Sequence, residues 1–267
     1  MKRFRRTFTL ITVSLLLAVA AQAEVIPVEQ IEKGLMIRSQ PSLTMYWQGK
    51  SSMAVLIFIP GGEGYIGLKP GQTENLFHFH QMLKRLTNPA LTSGRLDVVL
   101  LDSPQELSPR QPYPSARGSG DHLMRIESTV RYYKEKTGLP VWLMGHSNGG
   151  ISLTEFVKYL QKENKTNLIG GMIPSGIRSE SDFKAPLDMP MLFIHHERDG
   201  CSHTTPRASN DLYMKVKGVN KAPTEFAHVT GGEPESKDPC RSGYHMYYRA
   251  SEEAANLIDA FMSKIYS

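Results

Sequence analysis

Val141-Trp-Leu-Met144-Gly145-His146-Ser147-Asn148-Gly149-Gly150-Ile151 decides the fold. Its first four residues are an apolar run without polar alternation, which suits a strand covered on both faces. From Ile151 to Lys162 the apolar residues recur three and four apart, which predicts a helix. Between strand and helix stands Gly-x-Ser-x-Gly, a pattern that a chain of this length contains by chance about one time in ten. Its weight comes from that setting. A serine on so tight a strand-to-helix turn takes a strained backbone, and the glycines on either side remove Cβ atoms that would clash there. Gly150 lets the new helix pack close to the strand, and the helix N-terminus sets unpaired N–H groups beside Ser147, suited to developing negative charge.

The same alternation extends in both directions. Met53–Pro60 (MAVLIFIP), Leu96–Leu101, Val141–Met144, Leu168–Ile173, Met191–Ile194 and Thr224–Val229 read as strands. Thr73–Leu86, Asp121–Lys136, Ile151–Lys162, Thr205–Val216 and Ser251–Ile265 read as helices, with Asp121 as an N-cap and Gly138-Leu139-Pro140 as a stop. Strand and helix in turn over some 220 residues predict an α/β fold with helices on both faces of the sheet. No linker or repeat divides the chain, so 24–267 is expected to be one domain. Residues 25–50 are expected to add one or two edge strands as an antiparallel hairpin. The stretch 103–120, with prolines at 104, 109, 112 and 114, has no periodicity and reads as a long loop, either functional or a solvated excursion.

The 267 residues carry 31 basic and 26 acidic side chains, and four of the basic ones are Lys2, Arg3, Arg5 and Arg6. Without those four the body is near neutral, which gives no electrostatic footprint for nucleic acid or an anionic membrane. The four belong to a positive segment followed by an apolar stretch, Phe8–Ala21, and a small-x-small site, Ala21-Gln22-Ala23. Residues 1–23 therefore read as a secretory signal peptide cleaved before Glu24. The apolar stretch falls short of the roughly 20 residues that span a bilayer, so an uncleaved anchor is the less favoured alternative. Arg5-Arg6 faintly resembles a twin-arginine signal, and the general secretory route ranks higher. A periplasmic or secreted location makes the only cysteines, Cys201 and Cys240, a disulfide pair, the alternative being two buried thiols that never meet.

With the serine turn in this strand–helix setting, the sequence resembles the α/β-hydrolase family over nearly all of residues 53–265. The resemblance implies a mostly parallel sheet and a triad in the order nucleophile, acid, histidine. Ser147 is then the nucleophile, Asp199 at the end of Met191–Asp199 the acid, and His245 before the last helix the base. Glu197, Asp188 and Asp238 stand as rival acids. The resemblance also implies an oxyanion hole from the N–H of Asn148 and one from the turn Pro60-Gly61-Gly62-Glu63-Gly64, with Gly62 preferred and Glu63 behind it. The family often has His-Gly there; here Pro60 replaces the histidine. The disulfide would tie the loops that present Asp199 and His245. The interval 175–189 is too short for a large cap, so the site is expected to be open.

Other residues invite rival readings. His195 and His196 could suggest a metal pair, but adjacent strand residues face opposite ways, so one should pack and the other line the site's edge. His78 and His80 belong to the polar side or ends of a helix. His146 should pack beside the serine turn, His203 lie near the acid loop, and His228 fall in or near the last strand. Tyr113 and Arg117 could reach over the site. The resemblance implies an exported carboxylic-ester hydrolase acting on a small-molecule ester, with no cofactor and no metal. Amide hydrolysis, lipid-ester hydrolysis or acyl transfer would use the same triad, and a binding protein that kept the fold without activity is the alternative of a different class.

Overall fold

The computed structural model describes residues 23–30, 40–73, 79–105, 113–183, 187–234 and 238–267. Residues 1–22 of the expected signal segment lie outside them. Among the described residues eight strands are present: β1 (Glu24–Val28), β2 (Ser42–Trp47), β3 (Ala54–Ile59), β4 (Leu96–Asp102), β5 (Val141–His146), β6 (Gly171–Ser175), β7 (Met191–His196) and β8 (Thr224–Val229). They form one sheet in the order β1-β2-β4-β3-β5-β6-β7-β8. The expected edge hairpin exists: β1 and β2 run antiparallel to each other, and β2 antiparallel to β4, while β4 to β8 are mutually parallel.

The α-helices among the described residues are α1 (His80–Leu86), α2 (Pro114–Arg117), α3 (Gly120–Thr137), α4 (Asn148–Lys162), α5 (Pro206–Lys217) and α6 (Ser251–Ile265). Alternate residues of each central strand feed opposite cores. Val55, Ile57 and Ile59 of β3 join a layer with Ile126 and Val130 of α3, Phe156 and Leu160 of α4, and Tyr213 of α5. Ala54, Leu56 and Phe58 join the layer with Met82, Leu83 and Leu86 of α1 and Ile258, Phe261 and Met262 of α6. β3, β4 and β5 are buried along their whole length, which explains runs with no polar alternation. Among the described residues no helix is long and apolar enough to cross a membrane.

Three expectations shift. Asp121 is not the cap of α3: Ser119 holds the N-cap place, and the Asp121 carboxylate instead takes Arg125 Nε at 2.9 Å one turn on. β6 starts at Gly171 rather than near Leu168, because Thr166–Leu168 form a 3₁₀ turn. A Cβ at Gly171 would come 2.5 Å from the Trp142 ring, so the strand enters the sheet where only glycine clears that indole. The proline-rich stretch is not wholly irregular, since Pro114 opens the short α2 at the position where proline is pre-organised for a helix. Residues 106–112 of that stretch, and 74–78 of the expected first helix, lie outside the described residues.

Cys201 and Cys240, 39 positions apart in sequence, form a disulfide with Cα atoms 4.6 Å apart. A closed loop of that length stabilises by about 4 kcal/mol in the chain-entropy model. Reduction, or a Cys201→Ala/Cys240→Ala double variant, should lower the urea unfolding free energy by that order, less any residual structure in the unfolded chain. An unfolding curve indifferent to reductant would contradict this. The link also bears on the site, since Cys201 N–H donates to Asp199 Oδ1 at 2.9 Å.

Candidate active site

The parallel strands deliver their carboxyl ends to one edge of the sheet, the place where ligands bind in open α/β folds. Ile59 pairs with Gly145, and His146 with Ser175, so the turns after β3, β5 and β6 lie side by side. Ser147 sits between β5 and α4 with φ 54° and ψ −120°, a region costly to any residue with a Cβ. The close quarters explain its neighbours: a Cβ on Gly149 would fall 2.2 Å from Ile59 O, and one on Gly61 2.9 Å from Ser147 Cβ. Gly61 therefore brings the turn after β3 directly against the serine.

His245 occupies a 3₁₀ turn, Gly243–Met246, just before α6. The next residues fasten that turn to the sheet. Tyr247 OH lies 2.9 Å from Ser175 Oγ at the end of β6 and donates to Ile194 O of β7 at 3.1 Å. Asp199 follows β7 and is buried. Its Oδ2 accepts from His245 Nδ1 at 2.8 Å, His195 Nε2 at 3.0 Å and Thr204 Oγ1 at 3.0 Å, while Oδ1 takes the Cys201 N–H. Burial alone would raise the Asp199 carboxyl; the hydrogen bonds from His195 and His245 outweigh it and hold the group well below the ordinary carboxylate range. It is a fixed anion. The other nitrogen of His245, Nε2, is buried and takes no protein partner among the described residues.

The structure thus brings Asp199 to His245 and sets the His245 ring 4.7 Å from that of His146, the residue before Ser147. The rival acids go elsewhere. Glu197 and Asp188 are exposed, and Asp238 caps Cys240 N–H and pairs with Arg241. His146 packs between Phe79 and His245 with Nδ1 3.0 Å from Ser175 Oγ. Burial, and then His245, push its pKa well down, so it is neutral. Of the adjacent pair, His196 is within 2.6 Å of Gly231 O and stacks on Tyr244, whereas His195 reaches beneath the acid. His203 is exposed on the acid loop, His228 lies in β8 against Phe226, and His80 opens α1; His78 lies outside the described residues.

On the side of the expected oxyanion hole, Asn148 is the first residue of α4, where a backbone N–H has no partner within the helix. Gly62 has φ 54°. Its carbonyl accepts from Asn148 Nδ2 at 2.8 Å and from Arg117 Nη2 at 2.6 Å. Arg178 Nη1 in turn donates to Asn148 Oδ1 at 3.2 Å. Arg117 does not reach over the site: it is fully buried beneath it, and Tyr113 is 60% exposed. Asp102, at the end of β4, accepts the N–H groups of Ile66, Gly67 and Leu68 at 2.6, 3.0 and 2.8 Å and anchors the loop that leaves the Gly62 turn. His195, Thr204 and Asp102 had no signal in the sequence, because each acts on a group distant in the chain or across a turn.

His122 adds a second buried neutral histidine, its Nε2 2.9 Å from Ser152 Oγ. Burial, with Arg117 and Arg125 nearby, lowers its pKa from 6.5 to about 3. A histidine whose folded pKa is depressed binds a proton more readily when unfolded, so stability falls as pH drops below the unfolded value near 6.5. His122 and His146 should each contribute a slope approaching about 1.4 kcal/mol per pH unit there. Urea unfolding from pH 7 to 4.5 should show this loss, with His122→Gln removing one of the two proton uptakes. Equal slopes for the variant and the parent would contradict it.

No known family pattern and no curated protein sequence matches the chain. Solved structures do. The fold is similar to that of an α/β serine hydrolase without lid from Xanthomonas campestris (11% identity, TM-score 0.56, over 91% of this chain and 94% of that one). It is similar to dienelactone hydrolase from Anabaena variabilis (13%, 0.58, 91% and 98%) and to the esterase domain of a Rhodothermus marinus protein (11%, 0.57, 91% and 99%). The chain has the α/β-hydrolase fold.

Proposed function

We propose that this protein is a serine hydrolase of carboxylic esters, with Ser147 as nucleophile, His245 as general base and acid, and Asp199 as the group that orients it. The observation that carries the reading is the buried Asp199–His245 pair, with the His245 ring 4.7 Å from that of His146, the residue before a serine held at φ 54°. Ser147 Oγ attacks the ester carbonyl carbon while His245 Nε2 takes its proton, and collapse of the tetrahedral intermediate expels the alcohol, protonated by the same nitrogen. Water then repeats the sequence on the acyl-enzyme and releases the acid. Asp199, ionised throughout, holds the Nδ1–H tautomer and stabilises the imidazolium. The N–H groups of Asn148 and Gly62 face the developing oxyanion in this reading. The similar folds of a serine hydrolase, an esterase domain and a dienelactone hydrolase support a hydrolase, and the short β6–β7 connection supports an open site for a small-molecule ester.

The N-terminal pattern and the disulfide support export to the periplasm or beyond, with a mature chain from Glu24. β1 starts at that residue. The test uses that mature chain on p-nitrophenyl esters from acetyl to long acyl chains, with the matching anilides alongside. Ester turnover that outpaces the anilides and peaks at one chain length supports the reading and sizes the acyl site. Anilides turned over as fast as esters would shift it to amide hydrolysis, and no turnover by folded, oxidised protein would favour a binding protein.

A further inference from the structure

The turn that carries Gly62 lacks the histidine its relatives in fold often place before the glycine, and the structure shows what holds it instead. Its peptides are engaged one after another through their carbonyls. Pro60 O accepts from Arg117 Nη1 at 3.3 Å, Gly61 O from the Gly64 N–H at 3.0 Å, and Gly62 O from Arg117 Nη2 at 2.6 Å and Asn148 Nδ2 at 2.8 Å. Arg117 Nη1 also donates to Ser152 Oγ on α4 at 3.1 Å, which ties the turn to the helix that begins at the serine. In a trans peptide the C=O and N–H point opposite ways, so a fixed carbonyl fixes the next residue's N–H: the Gly61 carbonyl sets the Gly62 N–H, and the Pro60 and Gly62 carbonyls held by Arg117 set the peptides on either side of it. Rotation of such a peptide would do more than remove a donor, because it would present a carbonyl oxygen to the oxyanion.

Arg117 is unusual in its own right. It is fully buried, Nε has no partner, and among the described residues no carboxylate pairs with it. A buried guanidinium bonded only to neutral oxygens is a costly arrangement for stability alone. Burial and then Arg178 lower its pKa only to about 10, so it remains a cation at neutral pH. Gly61, which a Cβ would bring within 3.5 Å of Ser147 Oγ, shows that the turn so clamped abuts the nucleophile.

We infer that Arg117 is a positioning residue of the oxyanion hole: its two terminal nitrogens clamp the Pro60 and Gly62 carbonyls, in the peptides on either side of the one that carries the Gly62 N–H, and its fixed charge favours the tetrahedral oxyanion. The inference rests on the serine-hydrolase reading. Arg117 touches no substrate, so its loss acts on the transition state and leaves ground-state binding alone.

The experiment compares wild type, Arg117→Lys and Arg117→Ala for kcat and KM on p-nitrophenyl acetate, for fluorophosphonate labelling, and for urea unfolding. Arg117→Ala should lower kcat by about 10²–10³-fold, the size of losing one oxyanion donor, with KM within about threefold. Arg117→Lys, which keeps the charge and one of the two clamps, should recover part of kcat. Guanidinium ion, well below denaturing concentration, should restore Arg117→Ala and leave wild type unchanged. Arg117→Ala with wild-type kcat overturns the inference. So does a loss that follows the unfolding free energy and yields neither to lysine nor to guanidinium. If Arg117→Ala does not fold, Arg117→Lys decides: an unchanged kcat overturns the inference, and a reduced kcat at constant KM supports it. A wild type that neither labels nor turns over ester overturns the hydrolase reading itself, and this inference with it.

Discussion

Ser147→Ala should lose ester turnover by a factor on the order of 10⁶, leaving only the residual acceleration that binding and oxyanion donors provide. The size follows from the absence of any substitute: the residues around the turn are glycines, Asn148 and the neutral His146. The variant should fold, because Ala fits the space of Ser. It also inherits φ 54° and ψ −120°, a conformation that costs of order 1–3 kcal/mol for a residue with a Cβ. Ser147→Gly escapes that strain, with a partial offset from the added freedom of its unfolded chain. Equilibrium unfolding should therefore rank Ser147→Gly above Ser147→Ala by about 1 kcal/mol. The reverse order would mean that the turn stores no strain, and turnover by either variant within about a hundredfold of wild type would move the nucleophile elsewhere.

Asp199→Asn should reduce kcat by a factor on the order of 10⁴. Three donors converge on Asp199 Oδ2: His245 Nδ1, His195 Nε2 and Thr204 Oγ1. An amide can meet them with its single oxygen or turn its NH₂ toward them. In the first case it loses the charge that stabilises the imidazolium, and in the second it selects the wrong tautomer of His245. The loss should be largest at neutral pH and shrink toward alkaline pH, where hydroxide relieves the need for an enzymic base. A substitution that leaves kcat within about tenfold would show that His245 does not depend on this carboxylate. His195 shares the oxygen and is buried, so its removal should be felt more in stability than in rate.

The fold was legible because its signals are local. Apolar runs such as Met53–Pro60 and Leu96–Leu101 read as doubly covered strands, and the strands they form, β3 and β4, are buried residue by residue. α4, α5 and α6 follow their apolar spacing to within a few residues at each end. Where the reading slipped, a distant contact had overridden the local one. Asp121 gave up capping for the buried Arg125, which itself reaches Gln40 O at 2.6 Å. Gly171 marks a strand start only because Trp142 lies beneath it. At the site, Ser147 and its glycines carry a local motif, and the triad order that the family resemblance implies pointed to Asp199 and His245. His195 and Arg117 carry no such mark. One lies four residues before the acid on a buried strand, and the other lies in a proline-rich segment and meets Gly62 across 55 residues. Their roles come from which carbonyl or carboxylate oxygen they reach, a property of tertiary packing that no spacing encodes.

The most direct test of the central claim is covalent. Protein beginning at Glu24, with its disulfide intact, is treated with a fluorophosphonate, digested, and mapped by mass spectrometry. The account predicts one phosphonyl group, on the peptide that contains Ser147, formed in parallel with loss of esterase activity and absent from Ser147→Ala. Labelling on another residue, or activity that survives full modification of Ser147, would contradict it.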